Sequence, residues 1–214
     1  MNSRRNFLKK STALAAGLTI IPSHVVSGLK HNGLYNAPSD KMNIAGIGIG
    51  GKGHLNLVGM NTENIIGLCD VDWKYADHCL KEFPKAKRYK DWRRMFDELD
   101  KEIDGVMIST PDHTHAIIAA TALTMNKHVY CQKPLTHSNY ESRLLTKLAA
   151  KYNVATQRGH QGNSGDGVRT LCEWLWNGEI GEVREVHAWT DCPLWQQGLQ
   201  RPAKGIKVPG YMDW

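Results

Sequence analysis

The 214 residues carry 27 Lys and Arg against 21 Asp and Glu, a formal net charge of +6, with a hydrophobic fraction of 41%, which excludes a disordered or a fibrous chain. Residues 1–40 hold Arg4, Arg5, Lys9, Lys10 and Lys30 against Asp40, a net of +4, so only +2 is left for the rest and a nucleic-acid partner is not expected. Five cysteines, at 69, 79, 131, 172 and 192, form no C-x-x-C pair, which argues against a disulfide scaffold and against a metal site of the zinc type.

The chain opens on Ser3-Arg4-Arg5-Asn6-Phe7-Leu8-Lys9, followed by an apolar stretch from Ser11 to Ile21 that is too short to span a bilayer. This resembles a twin-arginine export signal, with processing expected between Ser23 and Ala37, and it implies a periplasmic or otherwise exported protein. The alternative, a basic arm for nucleic acid, fits less well because an apolar run follows the charges at once. No later segment is of spanning length, so no membrane span is expected once the signal is removed.

From residue 41 apolar runs alternate with helical patterns. Strands are predicted over Asn43–Gly48, Ile65–Asp70, Gly105–Thr110, His128–Cys131 and Val154–Gln157, and helices over His54–Met60, Lys74–Phe83, Asp91–Leu99, His115–Met125 and Ser138–Tyr152. Strands separated by helices predict an α/β fold: a Rossmann-type parallel sheet with right-handed crossovers. Five glycines crowd between Gly46 and Gly53, and the reading Gly46-x-Gly48-x-x-Gly51 matches a dinucleotide fingerprint. In that reading Gly46 allows the turn out of the strand, Gly48 lets backbone approach a pyrophosphate, and Gly51 lets the next helix pack closely. Gly50 lies in the same loop. Asp70 ends the next strand 19 residues on, placed to accept from a ribose diol. Asp72 is its competitor. A carboxylate at Asp70 repels a 2′-phosphate and favours NAD, while Lys74 leaves NADP open.

The domains expected are a signal and linker over 1–36, the nucleotide domain over 37–160 and an incomplete second domain over 161–214. In the last, Val168–Trp176 reads as a helix ending at Asn177-Gly178, and Gly181–Thr190 alternates as a half-buried strand.

Four motifs in order give the chain a family resemblance: Ala45-Gly46-Ile47-Gly48-Ile49-Gly50-Gly51-Lys52-Gly53-His54, Cys69-Asp70-Val71-Asp72, Ser109-Thr110-Pro111-Asp112-His113-Thr114-His115, and Asn126-Lys127-His128-Val129 leading to Cys131-Gln132-Lys133-Pro134. Together they resemble the Gfo/Idh/MocA oxidoreductases, over residues 41 to about 190. The resemblance implies that Lys133 is the catalytic residue, beside a nicotinamide and a sugar hydroxyl, with a proline after it that is often cis. It also implies that the second domain begins an α+β, mostly antiparallel, substrate domain whose remaining acid-base residues lie further along a longer enzyme.

Gln132 departs from the family, which usually has Glu there; an amide still bonds a ribose hydroxyl but cannot offset the lysine's charge. Thr110 and Pro111 turn the chain at a strand's carboxyl end, where ligands sit in open α/β sheets. His115 is placed near the cofactor by resemblance, with a packing role equally open. Arg158, His160 and Gln161 are further candidates at the same mouth, where His113 also lies, whereas His54 reads as structural.

The leading expectation is an exported NAD(P)-dependent oxidoreductase that passes hydride between a sugar, glycoside or cyclitol hydroxyl and nicotinamide. The alternatives are a redox-neutral NAD-dependent glycosidase or lyase of the same family, and a nucleotide-binding protein without catalysis. The expected partners are a small carbohydrate substrate, the twin-arginine export machinery and further copies of the chain in a homo-oligomer.

Overall fold

A computed structural model describes residues 41–189, 198–201, 205 and 207–213; the export signal and its processing point lie outside the described residues. Six strands form one sheet: β1 (Asn43–Ile47), β2 (Asn64–Cys69), β3 (Lys87–Tyr89), β4 (Gly105–Ile108), β5 (His128–Gln132) and β6 (Thr156–Gly159). All neighbours pair in parallel, in the order β3-β2-β1-β4-β5-β6. This is the doubly wound Rossmann order, and the direction of winding reverses between β1 and β4.

The helices are α1 (Lys52–Val58), α2 (Asp77–Glu82), α3 (Trp92–Leu99), α4 (Asp112–Thr124), α5 (Asn139–Tyr152) and α6 (Asp166–Trp176), with a 3-10 turn at Gln161–Ser164. One apolar layer joins Ile44, Leu57, Leu68, Leu80 and Met107 under α1 and α2. The other joins Ile47, Phe96, Ile108, Ile118 and Leu145 under α3, α4 and α5. Strand β4 is buried at every position, as its unbroken Gly-Val-Met-Ile run requires of a strand covered on both faces. Each fully buried Leu or Ile in these layers contributes about 1.5–3 kcal/mol.

Local chemistry sets the element ends. Asp91 accepts the Arg93 N–H and caps α3. Ser138 and Glu141 form a reciprocal capping box at the start of α5, whose end is Asn153 in the left-handed region. Helix α2 begins three residues later than the apolar pattern suggests, because the Asp72 carboxylate accepts the N–H groups of Lys74 and Tyr75 and holds that stretch as a turn. Helix α4 starts at Asp112, directly after Pro111. Strand β3, three residues rich in charge, has no apolar alternation and escapes sequence reading. Strand β6 is displaced from the predicted limits, starting and ending two residues later.

The second region differs from expectation. Helix α6 forms, but none of its residues is buried. The strand predicted over Gly181–Thr190 is absent across residues 181–189, all exposed, and Thr190 lies outside the described residues. A lone strand has no ladder to join, and no described strand runs beside this one. No helix among the described residues is long and apolar enough to cross a membrane.

Candidate active site

Residues that follow the carboxyl ends of parallel strands gather on one edge of the sheet. Gly48–Gly51 follow β1, Asp70 follows β2, Thr110 and Pro111 follow β4, Gln132 ends β5 with Lys133 after it, and Gln161 follows β6. The mouth between β1 and β4 is the switch point, where an open sheet leaves a crevice.

The glycine loop uses a different register from the one expected. Gly46 lies inside β1, and a Cβ there would meet Leu57 Cδ1 at 2.8 Å, so this glycine lets α1 pack on the strand and does not make the turn. The turn falls on Gly48, at φ +74°, where a Cβ would meet Thr110 N at 2.6 Å and Ser109 O at 2.8 Å. Close helix packing belongs to Gly53, not Gly51: a Cβ on Gly53 would lie 1.8 Å from the Gly48 carbonyl oxygen. The working triplet is therefore Gly48-x-Gly50-x-x-Gly53. The run of alternating glycines satisfies the same spacing in both registers, which is why spacing alone chose wrongly. Gly51, at φ +47°, precedes α1, whose N-terminus has no side-chain cap.

Asp70 organises this loop. Its Oδ2 accepts the N–H groups of Ile49 at 2.9 Å and Gly50 at 3.1 Å, and its Oδ1 accepts that of Asp72 at 2.9 Å. Gly48 N–H donates to the Cys69 carbonyl at 2.9 Å. The carboxylate thus ties the end of β2 to the turn after β1, with one lone-pair site left on Oδ1. Asp72 Oδ1 is occupied with the turn before α2.

On the β4–β5 side, Lys133 is exposed and joined to Pro134 by a cis peptide bond. Gln132 is buried and packs where Gly159 has no side chain: a Cβ there would lie 2.1 Å from Gln132 Oε1. That oxygen accepts the N–H of Lys133 at 3.0 Å. The amide oxygen therefore shapes the lysine's backbone. His115 is 1% exposed and lies behind the mouth, its ring nitrogens 2.7 Å from the Pro134 carbonyl oxygen and 2.8 Å from that of Thr110. The side chain joins two loops.

Asn56, Ser109, Tyr130 and Tyr75 escape sequence reading, whereas Gln161 is among the expected candidates. Gln161 Nε2 donates to the Tyr130 hydroxyl at 2.8 Å and to Asn56 Oδ1 at 3.2 Å, and Asn56 Nδ2 donates to Ser109 Oγ at 2.9 Å. This chain of amides and hydroxyls links α1, the residue after β4, β5 and the 3-10 turn. Tyr75 lies against the glycine loop, its ring 2.3 Å from where a Cβ on Gly50 would be. Only the glycines among these carried a spacing signal. His113, Arg158 and His160 are exposed near the mouth; His54 instead pairs with Glu82 at 2.6 Å away from it.

The buried thiols are not nucleophiles. Burial, with help from Asp70 and Asp91, pushes Cys69 up from 9.0 to about 12, and burial alone does the same to Cys131. Cys69, Cys79, Cys131 and Cys172 are free thiols, and no cluster of three or more His, Cys, Asp or Glu that could hold a metal occurs among the described residues.

The residues present fit a dinucleotide. Gly48 and Gly53 leave a backbone cradle with no room for a side chain, and a carboxylate stands at the end of the neighbouring strand. Residues 41–160 match a family model, GFO_IDH_MocA, described as an oxidoreductase family with an NAD-binding Rossmann fold. The chain is 28% identical over 151 residues to inositol 2-dehydrogenase of Salmonella paratyphi B, covering 69% of this chain and 44% of that one. A glycosyl hydrolase family 109 protein of Shewanella pealeana is 28% identical over 153 residues, 62% of this chain and 34% of that one. Among solved structures, scyllo-inositol dehydrogenase from Lactobacillus casei with bound NAD(H) and scyllo-inositol superposes with a TM-score of 0.58 at 22% identity, covering 67% of this chain and 43% of that one. The chain thus spans less than half the length of these relatives.

Proposed function

The chain belongs to the Gfo/Idh/MocA oxidoreductase family, and from that premise we propose that it is the nucleotide-binding part of an NAD-dependent dehydrogenase acting on a cyclitol or sugar hydroxyl. One observation carries this reading: the side-chain-free cradle at Gly48 and Gly53 and the Asp70 carboxylate stand on the same sheet edge as Lys133. The loop from Gly48 to Gly51 would hold the pyrophosphate, and Asp70 the ribose diol. NAD, when bound, supplies a ring that takes up hydride. Lys133 Nζ is the group that hydrogen-bonds the substrate hydroxyl and receives or returns its proton. The buried amide of Gln132 and the packing of β5 keep that lysine's backbone in one place.

The resemblance to inositol 2-dehydrogenase supports a cyclitol among the substrates. The likeness to a glycosyl hydrolase family 109 protein supports a second reading, glycoside cleavage without net change in the cofactor. Ultraviolet absorbance separates them: NAD reduced by inositols or free sugars supports the first, glycoside cleaved with no net reduction the second, and calorimetric binding with neither leaves a nucleotide binder. Replacing Lys133 by Met is expected to lower turnover at least about a hundredfold with NAD affinity little changed. Equal loss of both would remove Lys133 from the chemistry. We further infer export of the folded, cofactor-loaded protein by the twin-arginine route, a reading supported by Arg4 and Arg5 ahead of the apolar stretch. A double Arg4→Lys, Arg5→Lys variant should stay in the cytoplasm on cell fractionation.

A further inference from the structure

His115 and Gln132 are the buried polar side chains among the described residues, and both act on the same loop. Burial of such groups is costly unless they are hydrogen-bonded, so their shared destination is informative. Gln132 Oε1 accepts from Lys133 N, and His115 reaches the carbonyl of Pro134, the next residue. The other ring nitrogen of His115 reaches the Thr110 carbonyl, which belongs to the loop after β4.

The ladder between β4 and β5 ends at Ile108 and Cys131. Beyond it the two loops carry Pro111 and Pro134, which have no N–H to donate, so the Thr110 and Pro134 carbonyls face a crossing that is poor in donors. Two acceptors cannot bond each other. An imidazole between them donates to one carbonyl as the neutral ring, with its body packed against the other, and to both only as the imidazolium, whose two nitrogens each carry a proton. Among the described residues, no backbone hydrogen bond joins residues 109–111 to residues 132–135. His115 is the polar tie between them.

We propose that His115 is a positioning residue, an imidazole clamp that fixes the Lys133–Pro134 loop against Thr110 and so holds the Lys133 amine over the nicotinamide end of the site. This rests on the dinucleotide reading above. It assigns His115 no contact with the cofactor.

The test follows acylation of Lys133 by an amine reagent, mapped by peptide mass spectrometry with and without saturating NAD, beside calorimetric affinity for ADP-ribose, which lacks the nicotinamide. In the wild type NAD should slow labelling of Lys133 about tenfold; in His115→Leu that protection should fall below about twofold while ADP-ribose affinity stays within about twofold. His115→Gln, which keeps a donor, should protect to an intermediate degree, and it carries the test if the leucine variant fails to fold. Protection retained in both variants, or ADP-ribose affinity falling in parallel, would overturn the clamp. A wild type that binds ADP-ribose but whose Lys133 is not shielded by NAD would also overturn it and leave the dinucleotide site standing. A wild type that binds neither nucleotide removes the dinucleotide reading and the clamp with it.

Discussion

Helices α1 and α6 each carry a glycine near their start, and the two could hardly be in more different surroundings. Gly53 is buried, with the Gly48 carbonyl where its Cβ would be; Gly167 has no heavy atom within 4 Å of that position. Helix α4 and helix α6 repeat the contrast at the level of a whole element. Both have apolar residues at helical spacing, yet α4 buries Ala116, Ile118, Ala119, Ala122 and Leu123 while α6 buries none, and Trp174 and Trp176 stand 54% and 82% exposed. An amphipathic pattern tells the chain to coil; it does not say what the apolar face will meet.

Substitutions at matched positions sharpen this contrast. Gly53→Ala forces the cradle apart and should abolish NAD binding in calorimetry, with a loss of about 3 kcal/mol in urea unfolding. Ile118→Ala, in the layer under α4, should cost about 2–4 kcal/mol by the same measurement. Raising the pH acts on the buried thiols of the same body. Their pKa is higher folded than unfolded, so the folded state holds the proton more tightly. That stability is fully present below pH 9.0 and is lost as pH rises toward 12, at up to about 1.4 kcal/mol per pH unit for each thiol. Replacing Cys131 by Ala should flatten the decline in unfolding free energy. At the small end, Gly167→Ala in α6 should raise stability by no more than about 1 kcal/mol, through helix propensity alone. A loss comparable with that of Gly53→Ala would mean that α6 is packed against something.

How much of this was legible depends on how local the cause is. Strands β1, β2 and β4 declare themselves by apolar runs, and the start of α5 by Ser138 and Glu141 three residues apart. Asp70 is legible by its distance from the glycines, although its bonds to Ile49 and Gly50 are not, since they join the ends of two strands. The register of the glycine loop was hidden by repetition: Gly46 and Gly48 satisfy the same spacing. The link through Asn56, Ser109, Tyr130 and Gln161 brings together residues up to 105 positions apart, and no local pattern foretells it. The strand expected over Gly181–Thr190 had the right alternation and no neighbour among the described strands.

The strand order also dictates when the crevice comes into being. Strand β1 meets β2 within its own half of the sheet, but its other flank waits until residues 105–108 have been made and the long return past β3 has docked. As the polypeptide leaves the ribosome, one wall of the cleft is therefore finished well before the opposite wall exists. Capture of NAD by a nascent chain would then serve as a timestamp for the joining of the two halves.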